Sequence, residues 1–275
     1  MNGIICRYLC PAPTGTFIKE NFTRDWSNAT QWPNGVLPAD GDNVTVNGNW
    51  TLRLDVDPAV LNYLIIDGTL FADDSRNVNI TANSIFVRAG NLSAGSKGSP
   101  FMHNYTVQVN GQRFDSGQTI DPGYAGNKFF AVTGTLNLHG NAPATVTTTL
   151  KQTATSGSNK IFLNSVTDWA IGDTIVLSPS FSQYRQYEKH VISAVNTTEK
   201  SVTLTANLQY THYGSSSVTI NNHYGKLDTR TRVGHVNRNI KIVPGPDAGW
   251  GYTVVVYGFM DGDILRIGNA QLSGV

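Results

Sequence analysis

Short runs of alternating apolar and polar residues recur along most of the chain. This period of two indicates strands that bury one face, whereas no window keeps a helical period for more than two turns. The predicted strands lie at residues 44–46, 52–54, 64–66, 78–80, 85–87, 105–109, 129–132, 136–138, 161–163, 175–177, 190–195, 202–204, 218–220, 239–243, 253–257 and 264–267. We therefore predict an all-β fold.

Glycines recur at a nearly constant interval in the first half of the chain. Gly48, Gly68, Gly90, Gly111 and Gly134 lie 20, 22, 21 and 23 residues apart, and each precedes a large apolar residue by two or three positions. One circuit of a β-solenoid uses about 20 residues. The spacing therefore predicts a solenoid-like stack of short strands, with a chance regularity among the 27 glycines as the alternative.

Three further segments bear on the domain organisation of the chain. Residues 93–126 are rich in Gly, Ser, Asn and Asp and predict a long loop around one strand. Residues 1–25 contain Pro11 and Pro13 and predict an extended N-terminal arm, which leaves residues 26–275 as a single domain. The alternation through residues 264–272 reaches almost to the C-terminus. We therefore expect the chain to be part of a longer protein.

The chain is polar but carries little charge. Charged residues make up 14% of its 275 residues and the formal net charge is +1, which argues against nucleic-acid binding driven by bulk charge. Abundant Asn, Ser and Thr are usual for extracellular β-proteins. No apolar stretch is long enough to span a membrane, so we expect no membrane insertion by this segment.

Sequons for N-glycosylation are numerous and seven of the eight fall within the first 104 residues. Composition explains part of this excess, since the chain is rich in Asn, and chance sequons remain the alternative. Their clustering favours a secreted glycoprotein. The predicted glycosylation sites are Asn21, Asn28, Asn43, Asn49, Asn79, Asn91, Asn104 and Asn196.

The only two cysteines, Cys6 and Cys10, lie near the N-terminus. A disulfide between them would need a tight local turn, and a bond to another chain or segment is equally open. Neither their number nor their spacing resembles a zinc site.

Six stretches in order along the chain resemble the G-eight domain, an extracellular family named for eight recurring glycines and found in fibrocystin-like receptors and in a cell-surface hyaluronidase and hyaluronan-binding protein. The matching stretches are WPNGVLPADGDNVTV at 32–46, IDGTLF at 66–71, IFVRAG at 85–90, VTGTLNLHG at 132–140, WAIGDTIVL at 169–177 and VNRNI at 236–240. The resemblance covers about residues 26–270 and implies a β-rich fold that opens or caps a right-handed β-helix. We therefore predict a right-handed β-helix or solenoid-like stack over residues 26–275.

Two of these stretches share a Gly-Asp pair before a valine-rich strand, Gly41-Asp42 and Gly172-Asp173. We expect a positive-φ glycine in each, with the aspartate capping the backbone amides that follow. Trp32 and Trp169 lie upstream of the pairs, and we expect them to plug the rung ends.

The richest polar stretch is residues 184–190. Tyr184 and Tyr187 could stack on sugar rings while Arg185, Glu188 and His190 bind hydroxyl groups, and His212 could join them. The stretch therefore predicts a saccharide-binding site. The alternative is a solvated hairpin with cross-strand pairs, and for His212 a hydrogen-bonded place in a turn.

A catalytic site can also be assembled on paper from Asp173, Glu188, His139, His212 and Arg238, because two carboxyl groups can cleave glycosides. Their spacing does not demand it. Hyaluronidase-like relatives, as the resemblance implies, carry a Gly-Gly-His-like segment where this chain has Gly249-Trp250-Gly251-Tyr252. We therefore name no catalytic residues and expect no enzyme.

Paired aspartates are the only candidate metal ligands, at Asp40/Asp42, Asp55/Asp57 and Asp73/Asp74. Calcium could occupy such loops, but turn capping explains the pairs equally well. We predict no cofactor and keep Ca²⁺ as the alternative.

These features predict a non-catalytic extracellular or cell-surface glycoprotein module with a structural or adhesive role. Its partners would be copies of itself or other extracellular proteins, within a filament or a receptor. The alternatives are a module that binds a hyaluronan-like polysaccharide and, third, a hyaluronidase-like enzyme that cleaves glycosidic bonds.

Overall fold

The structure is a computed structural model that describes residues 19–112, 118–120, 123–165, 168–180, 184–214, 218–221, 225–246, 251–261 and 264–275. Its helical segments are three short 3-10 turns, Ala29–Gln31, Pro33–Gly35 and Tyr184–Gln186. The remaining regular structure is strand, which confirms the all-β class. The chain divides into two compact units, Met1–Asn141 with Arg238–Val275 (unit 1) and Ala142–Asn237 (unit 2).

The first part of unit 1 is built from short strands. In chain order they are β1 (Arg24–Asp25), β2 (Asn43–Val46), β3 (Thr51–Leu54), β4 (Leu61–Ile66), β5 (Thr69–Ala72), β6 (Val78–Val87), β7 (Asn91–Ala94), β8 (Tyr105–Val109), β9 (Gln118–Ile120), β10 (Gly123–Gly126), β11 (Phe129–Val132) and β12 (Thr135–His139).

Unit 2 follows, and unit 1 then resumes. The strands of unit 2 are β13 (Thr147–Thr149), β14 (Lys160–Phe162), β15 (Thr174–Leu177), β16 (Glu188–Asn196), β17 (Ser201–Leu204), β18 (Val218–Asn221), β19 (Gly225–Leu227) and β20 (Arg232–His235). The last strands of unit 1 are β21 (Ile240–Pro244), β22 (Thr253–Val256), β23 (Gly258–Asp261), β24 (Ile264–Ile267) and β25 (Asn269–Ser273).

Unit 1 is a stack of parallel strands. Ladder A contains β1, β3, β5, β7, β12 and β25 in that order, and ladder B contains β2, β4, the second half of β6, β11 and β22. Ladder C joins the first half of β6 to β8 and β21. The chain passes from ladder to ladder and returns one strand further along, so each pass forms one rung. Short strands thus stack in parallel ladders; a right-handed β-helix stays a prediction.

A column of glycines lies at the bend between ladders B and A. Gly68, Gly90, Gly134 and Gly268 each precede a ladder A strand. A Cβ atom on any of them would lie closer than 3.0 Å to a backbone oxygen of the preceding rung. Successive rungs are bonded through this bend, with Asn91 N donating to Gly68 O at 2.8 Å and Asn269 N to Gly134 O at 2.9 Å.

The column corrects the predicted glycine repeat in three places. The atom nearest to the Cβ position of Gly68 in the preceding rung is the Asn47 carbonyl oxygen, so Gly48 is not part of the column. Gly111 has a φ of +94° and lies beside the Asn127 carbonyl, outside the column. Gly268 belongs to the column but was not predicted, because unit 2 and the β23–β24 hairpin separate it from Gly134 in sequence.

Aromatic residues cover the first rung of unit 1. The rings of Trp26 and Trp32 lie 4.9 Å apart and those of Trp32 and Trp50 lie 5.8 Å apart. The Arg24 guanidinium lies 4.4 Å from the Trp50 ring and is paired with Glu20 at 2.7 Å. The expected plugging role of Trp32 is thus seen at this end of unit 1.

The two Gly-Asp turns adopt the same geometry. Gly41 has a φ of +84° and Gly172 a φ of +92°. Asp42 accepts a hydrogen bond from Ala39 N at 2.8 Å, and Asp173 accepts one from Ala170 N at 2.7 Å. The expected positive φ is found, but each aspartate caps the amide three residues before it rather than the amides that follow.

Unit 2 contains an antiparallel sheet with the strand order β13-β20-β15-β16-β17-β14. Its two edge strands are also bonded to each other, since Lys151 N donates to Phe162 O at 2.8 Å and Asn164 N to Thr149 O at 3.0 Å. These bonds close the sheet around a core that includes Leu150, Trp169 and Ile175. The sequence did not distinguish this unit, and a single domain over residues 26–275 stays a prediction.

Replacing Gly90 by alanine should destabilise unit 1, because the new Cβ would meet the backbone of the preceding rung at Gly68 and Asp67. We expect a loss of about 2–4 kcal/mol in the free energy of unfolding, measured by denaturant-dependent hydrogen exchange in β5 and β7. Gly98→Ala is the matched control, since no atom lies within 4 Å of its Cβ position. Equal stability of the two variants would contradict the role of the column.

Candidate functional site

A buried carboxylate organises unit 2. Glu188 begins β16, and its Oε1 atom lies 3.0 Å from His212 Nε2 while its Oε2 atom lies 2.9 Å from His190 Nε2. The same two oxygens accept hydrogen bonds from the backbone amides of Tyr210 and Gln209, both at 2.8 Å. The carboxylate thus has four donors and ties β16 to residues 209–212.

The strand period explains why these residues are buried together. Glu188 and His190 are two residues apart on β16, so they lie on the same face of the sheet. They pair with Leu177 and Ile175 of β15, and all four residues are buried. His212 is fully buried and is held by a bridge between Ala154 and His212.

Both ring nitrogens of His212 face oxygen acceptors. Nδ1 lies 3.0 Å from the Ser178 carbonyl oxygen, and Nε2 lies against the Glu188 carboxylate. A carbonyl oxygen can only accept, as can an ionised carboxylate. The arrangement is therefore satisfied when both nitrogens carry a hydrogen and Glu188 is ionised.

The surroundings of Glu188 favour that ionised form. Burial alone would raise the pKa of the Glu188 carboxyl, but hydrogen bonds from Gln209, His190, Tyr210 and His212 outweigh it and hold this pKa below its usual value. Hydrogen bonds to the charged form of an acid favour that form. The cluster therefore resembles a buried structural group: both carboxylate oxygens and both ring nitrogens of His212 are engaged in hydrogen bonds, and His190 is engaged through Nε2.

The other predicted ligand residues lie at the surface. Tyr184 and Tyr187 are 71% and 61% exposed. Arg185 Nε lies 3.0 Å from the Tyr184 hydroxyl oxygen, and its guanidinium lies 5.4 Å from the Tyr184 ring. The six predicted residues thus form two groups, an exposed Tyr-Arg-Tyr surface and a buried Glu-His-His cluster. Saccharide binding at this stretch stays a prediction.

Of the residues considered as a catalytic set, Asp173, Glu188 and His212 lie in unit 2. Asp173 lies 3.0 Å from His235, a buried residue that the sequence analysis did not select. His139 and Arg238 belong to unit 1, where His139 Nδ1 lies 2.8 Å from the Ser273 hydroxyl oxygen. No local spacing signals the Asp173–His235 pair, because β15 and β20 meet only in the folded sheet.

Four of the six paired aspartates accept hydrogen bonds from backbone amides of a neighbouring rung. Asp40 Oδ1 accepts from Val60 N at 2.7 Å, Asp57 Oδ1 from Asn79 N at 2.9 Å, and Asp74 Oδ1 from Met102 N at 2.8 Å. Asp55 likewise accepts from Ser27 N at 3.0 Å. Among the described residues, no group of three or more His, Cys, Asp or Glu side chains is placed to hold a metal ion. Calcium stays a prediction.

The eight sequon asparagines all lie in the described part of the chain, and none is buried. Five are exposed and Asn28, Asn49 and Asn91 are half-buried. Asn43 and Asn196 use side-chain oxygens as acceptors, from Asn62 and Glu199. Glycosylation at these positions stays a prediction. Cys6 and Cys10 lie outside the described residues.

Replacing Glu188 by glutamine should destabilise unit 2, because a buried carboxylate with two histidine partners is lost. We expect a loss of about 2–4 kcal/mol, read from hydrogen exchange in β15 to β17. Since folding lowers the pKa of Glu188, its stabilisation is complete above pH 4.5, the ordinary glutamate value. It should be lost as pH falls through the lower folded pKa.

Glu199→Gln is the control for this prediction, because Glu199 is an exposed partner of Lys160 in the same unit. It should change stability little. A Glu188→Gln protein as stable as the control would show that the cluster does not hold unit 2 together.

In the described part of the chain, no helix has the length and apolar character needed to cross a membrane. Comparison with solved structures finds the Gp54 tailspike of Acinetobacter baumannii bacteriophage AP22 in complex with A. baumannii capsular saccharide. It covers 81% of this chain and 28% of that chain at 11% identity. Its TM-score of 0.29 is too low to support an inference.

Comparison with curated proteins finds fibrocystin-L of Homo sapiens, 29% identical over 272 residues, which are 91% of this chain and 6% of that protein. Fibrocystin of Mus musculus is 34% identical over 161 residues, 57% of this chain and 4% of that protein. The chain therefore spans only a small part of these relatives. Residues 31–151 match the G8 domain family. This match confirms the resemblance found in the sequence over residues 31–151.

Proposed function

We propose that this chain is a non-catalytic module of an extracellular or cell-surface glycoprotein, with a structural or adhesive role. The observation that carries the proposal is the buried, hydrogen-bonded Glu188 cluster. Its carboxylate and histidines are the acid and base groups that a sugar-cleaving site would need. They are buried, and they bond each other and the backbone, which favours a role in holding unit 2 together.

The relatives and the sequons support the extracellular location. Fibrocystin-L and fibrocystin share the matched region, and all eight sequon asparagines lie at positions where a glycan could reach solvent. A buried sequon would have argued against this location, since a glycan is bulky and must lie at the surface.

We further propose that unit 1 is a right-handed β-helix. Its three ladders are parallel and the chain visits them in turn. Connections between parallel strands of one sheet are right-handed in nearly all proteins. A stack of this kind gives a stiff, elongated surface suited to contacts with other extracellular molecules.

Secretion from a eukaryotic cell should yield a glycoprotein. We expect glycans at Asn21, Asn43, Asn79, Asn104 and Asn196, because these side chains are exposed in the folded protein. Glycosidase release in heavy-oxygen water followed by peptide mass spectrometry would map them. Replacing each asparagine by glutamine is the control. Secreted protein without any glycan would contradict the proposed location.

Carbohydrate binding is the second candidate function, and the exposed Tyr184–Tyr187 surface favours it. Two tyrosine rings and a guanidinium lie in solvent within four residues. Aromatic faces of this kind can stack on sugar rings, and the guanidinium offers hydrogen-bond donors. The hyaluronan association of the resembling family suggests an acidic polysaccharide as the first ligand to test.

The double variant Tyr184→Ala/Tyr187→Ala should lose at least about tenfold in polysaccharide affinity, since each ring contributes roughly 1 kcal/mol or more of stacking. A glycan array followed by calorimetry would measure this. Ile171→Ala is the matched control, because Ile171 is also 71% exposed in unit 2. Unchanged binding by the tyrosine variant would exclude this surface.

A further inference from the structure

Side chains of ladder A alternate between the interior of unit 1 and an outer face. In β3, β5 and β7 half-buried and buried residues alternate strictly, and β12 begins in the same way. The outward residues form two rows that pair in register from rung to rung. We call them the outer face: Thr51, Thr69, Asn91 and Thr135 in one row, and Arg53, Phe71, Ser93 and Asn137 in the other. None of the eight is buried, so the outer face reaches solvent.

A glycosylation sequon lies in the middle of the outer face. Asn91 and Ser93 are the first and third residues of the sequence Asn91-Leu92-Ser93, and the strand period directs both of them outward. Asn91 Oδ1 accepts a hydrogen bond from Asn137 Nδ2 at 3.5 Å. This contact uses the side-chain oxygen of Asn91 and does not use Nδ2, the atom to which a glycan is attached.

Phe71 is the large apolar side chain of the outer face. It is half-buried and pairs with Ser93, so it lies one strand away from Asn91 and two residues further along. Strands lie about 4.8 Å apart and rise about 3.3 Å per residue, which places the Cα atoms of Asn91 and Phe71 about 8 Å apart. An asparagine side chain with one sugar ring attached can span this distance.

The groups around Asn91 suit a neutral amino sugar. The first sugar of an N-glycan is N-acetylglucosamine, which has a face of C–H groups and an edge of hydroxyl and acetamido groups. Its C–H face can cover the Phe71 ring, and this contact removes apolar surface from water. Thr69, Thr135 and Asn137 carry hydroxyl and amide groups that can bond the polar edge. None of these three side chains is charged, so an uncharged sugar matches them.

We propose that Asn91 carries an N-glycan whose first sugar lies on the Phe71 ring and stabilises unit 1. The bond forms between Asn91 Nδ2 and C1 of the first N-acetylglucosamine of a lipid-linked oligosaccharide. The lipid diphosphate leaves, and Nδ2 loses one of its two protons. The inference rests on the proposed extracellular glycoprotein and gives one of its glycans a binding surface and a structural role.

The first measurement is the occupancy of Asn91 in the secreted 275-residue chain, by the same peptide mapping as for the exposed sequons. We expect a glycan at Asn91, because its side chain points to solvent from the outer face. Glycans at the exposed sequons with none at Asn91 would overturn the inference and leave the proposed function standing. A secreted chain without any glycan would overturn both.

Stability then tests the contact with Phe71. Ser93→Ala removes the sequon and keeps Asn91, so it compares unit 1 with and without this glycan. With Phe71 present, amides of β5 and β7 should exchange about fivefold faster or more in the Ser93→Ala chain. In a Phe71→Ala background the same substitution should change exchange by less than about twofold. An equal effect of Ser93→Ala in both backgrounds would overturn the inference.

Asn104→Gln is the matched control for these variants, because it removes an exposed sequon of unit 1 in the segment before β8. It should change exchange in β5 and β7 by less than about twofold. A change as large as that of Ser93→Ala would show a general effect of glycans and would overturn the role of Phe71.

Two glycosidases give a test on the wild-type chain that needs no substitution. One cleaves between the first two sugars and leaves a single N-acetylglucosamine on Asn91, and the other removes the whole glycan. Exchange in β5 and β7 should change by less than about twofold after the first enzyme and rise about fivefold or more after the second. Faster exchange after the first enzyme, or no change after the second, would overturn the contact between the first sugar and Phe71.

Discussion

The close approach of successive rungs at the bend between ladders B and A is the constraint on which unit 1 depends. Strands in a sheet lie about 4.8 Å apart, and here the bends are also bonded to one another, with Asn91 N donating to Gly68 O at 2.8 Å. A side chain at Gly68, Gly90, Gly134 or Gly268 would meet the backbone of the preceding rung. Because the glycines keep the bend narrow, apolar side chains of ladders A and B can meet inside it and form continuous columns.

The same constraint explains where the chain tolerates insertions. In the early rungs the bend between ladders B and A is short. In the last rung the β23–β24 hairpin is inserted into this bend, and Gly268 still precedes the ladder A strand β25. All of unit 2 lies between β12 and β21, which belong to consecutive rungs. An insertion is tolerated when the paired strands on either side of it keep their register. Long surface insertions then add little to the entropy cost of closing the loop.

Much of this fold was readable in the sequence because its signals are local. Period-two alternation gave the strands that bury one face, and the glycine interval gave the early rungs. Gly268 and the separateness of unit 2 were not readable, since an insertion breaks a repeat without leaving a local mark. Short strands such as β1 and β13 carry too few residues to show a period, and their existence depends on the partners that they find in the fold.

At the candidate site, by contrast, the local sequence pattern did not predict which residues lie together, and the fold decides this. Tyr184 to His190 looked like one ligand-binding stretch because aromatic and charged residues alternate there, yet the strand period separates them. Once β16 begins at Glu188, alternate residues turn inward, so Glu188 and His190 meet His212 in the core while Tyr184 and Tyr187 precede the strand and stay in solvent. A buried carboxylate is stable only with several donors, and four are present. The polar residues that suggested chemistry therefore anchor the turn at residues 209–212, and Tyr184 and Tyr187 are the members of the stretch that stay open to solvent.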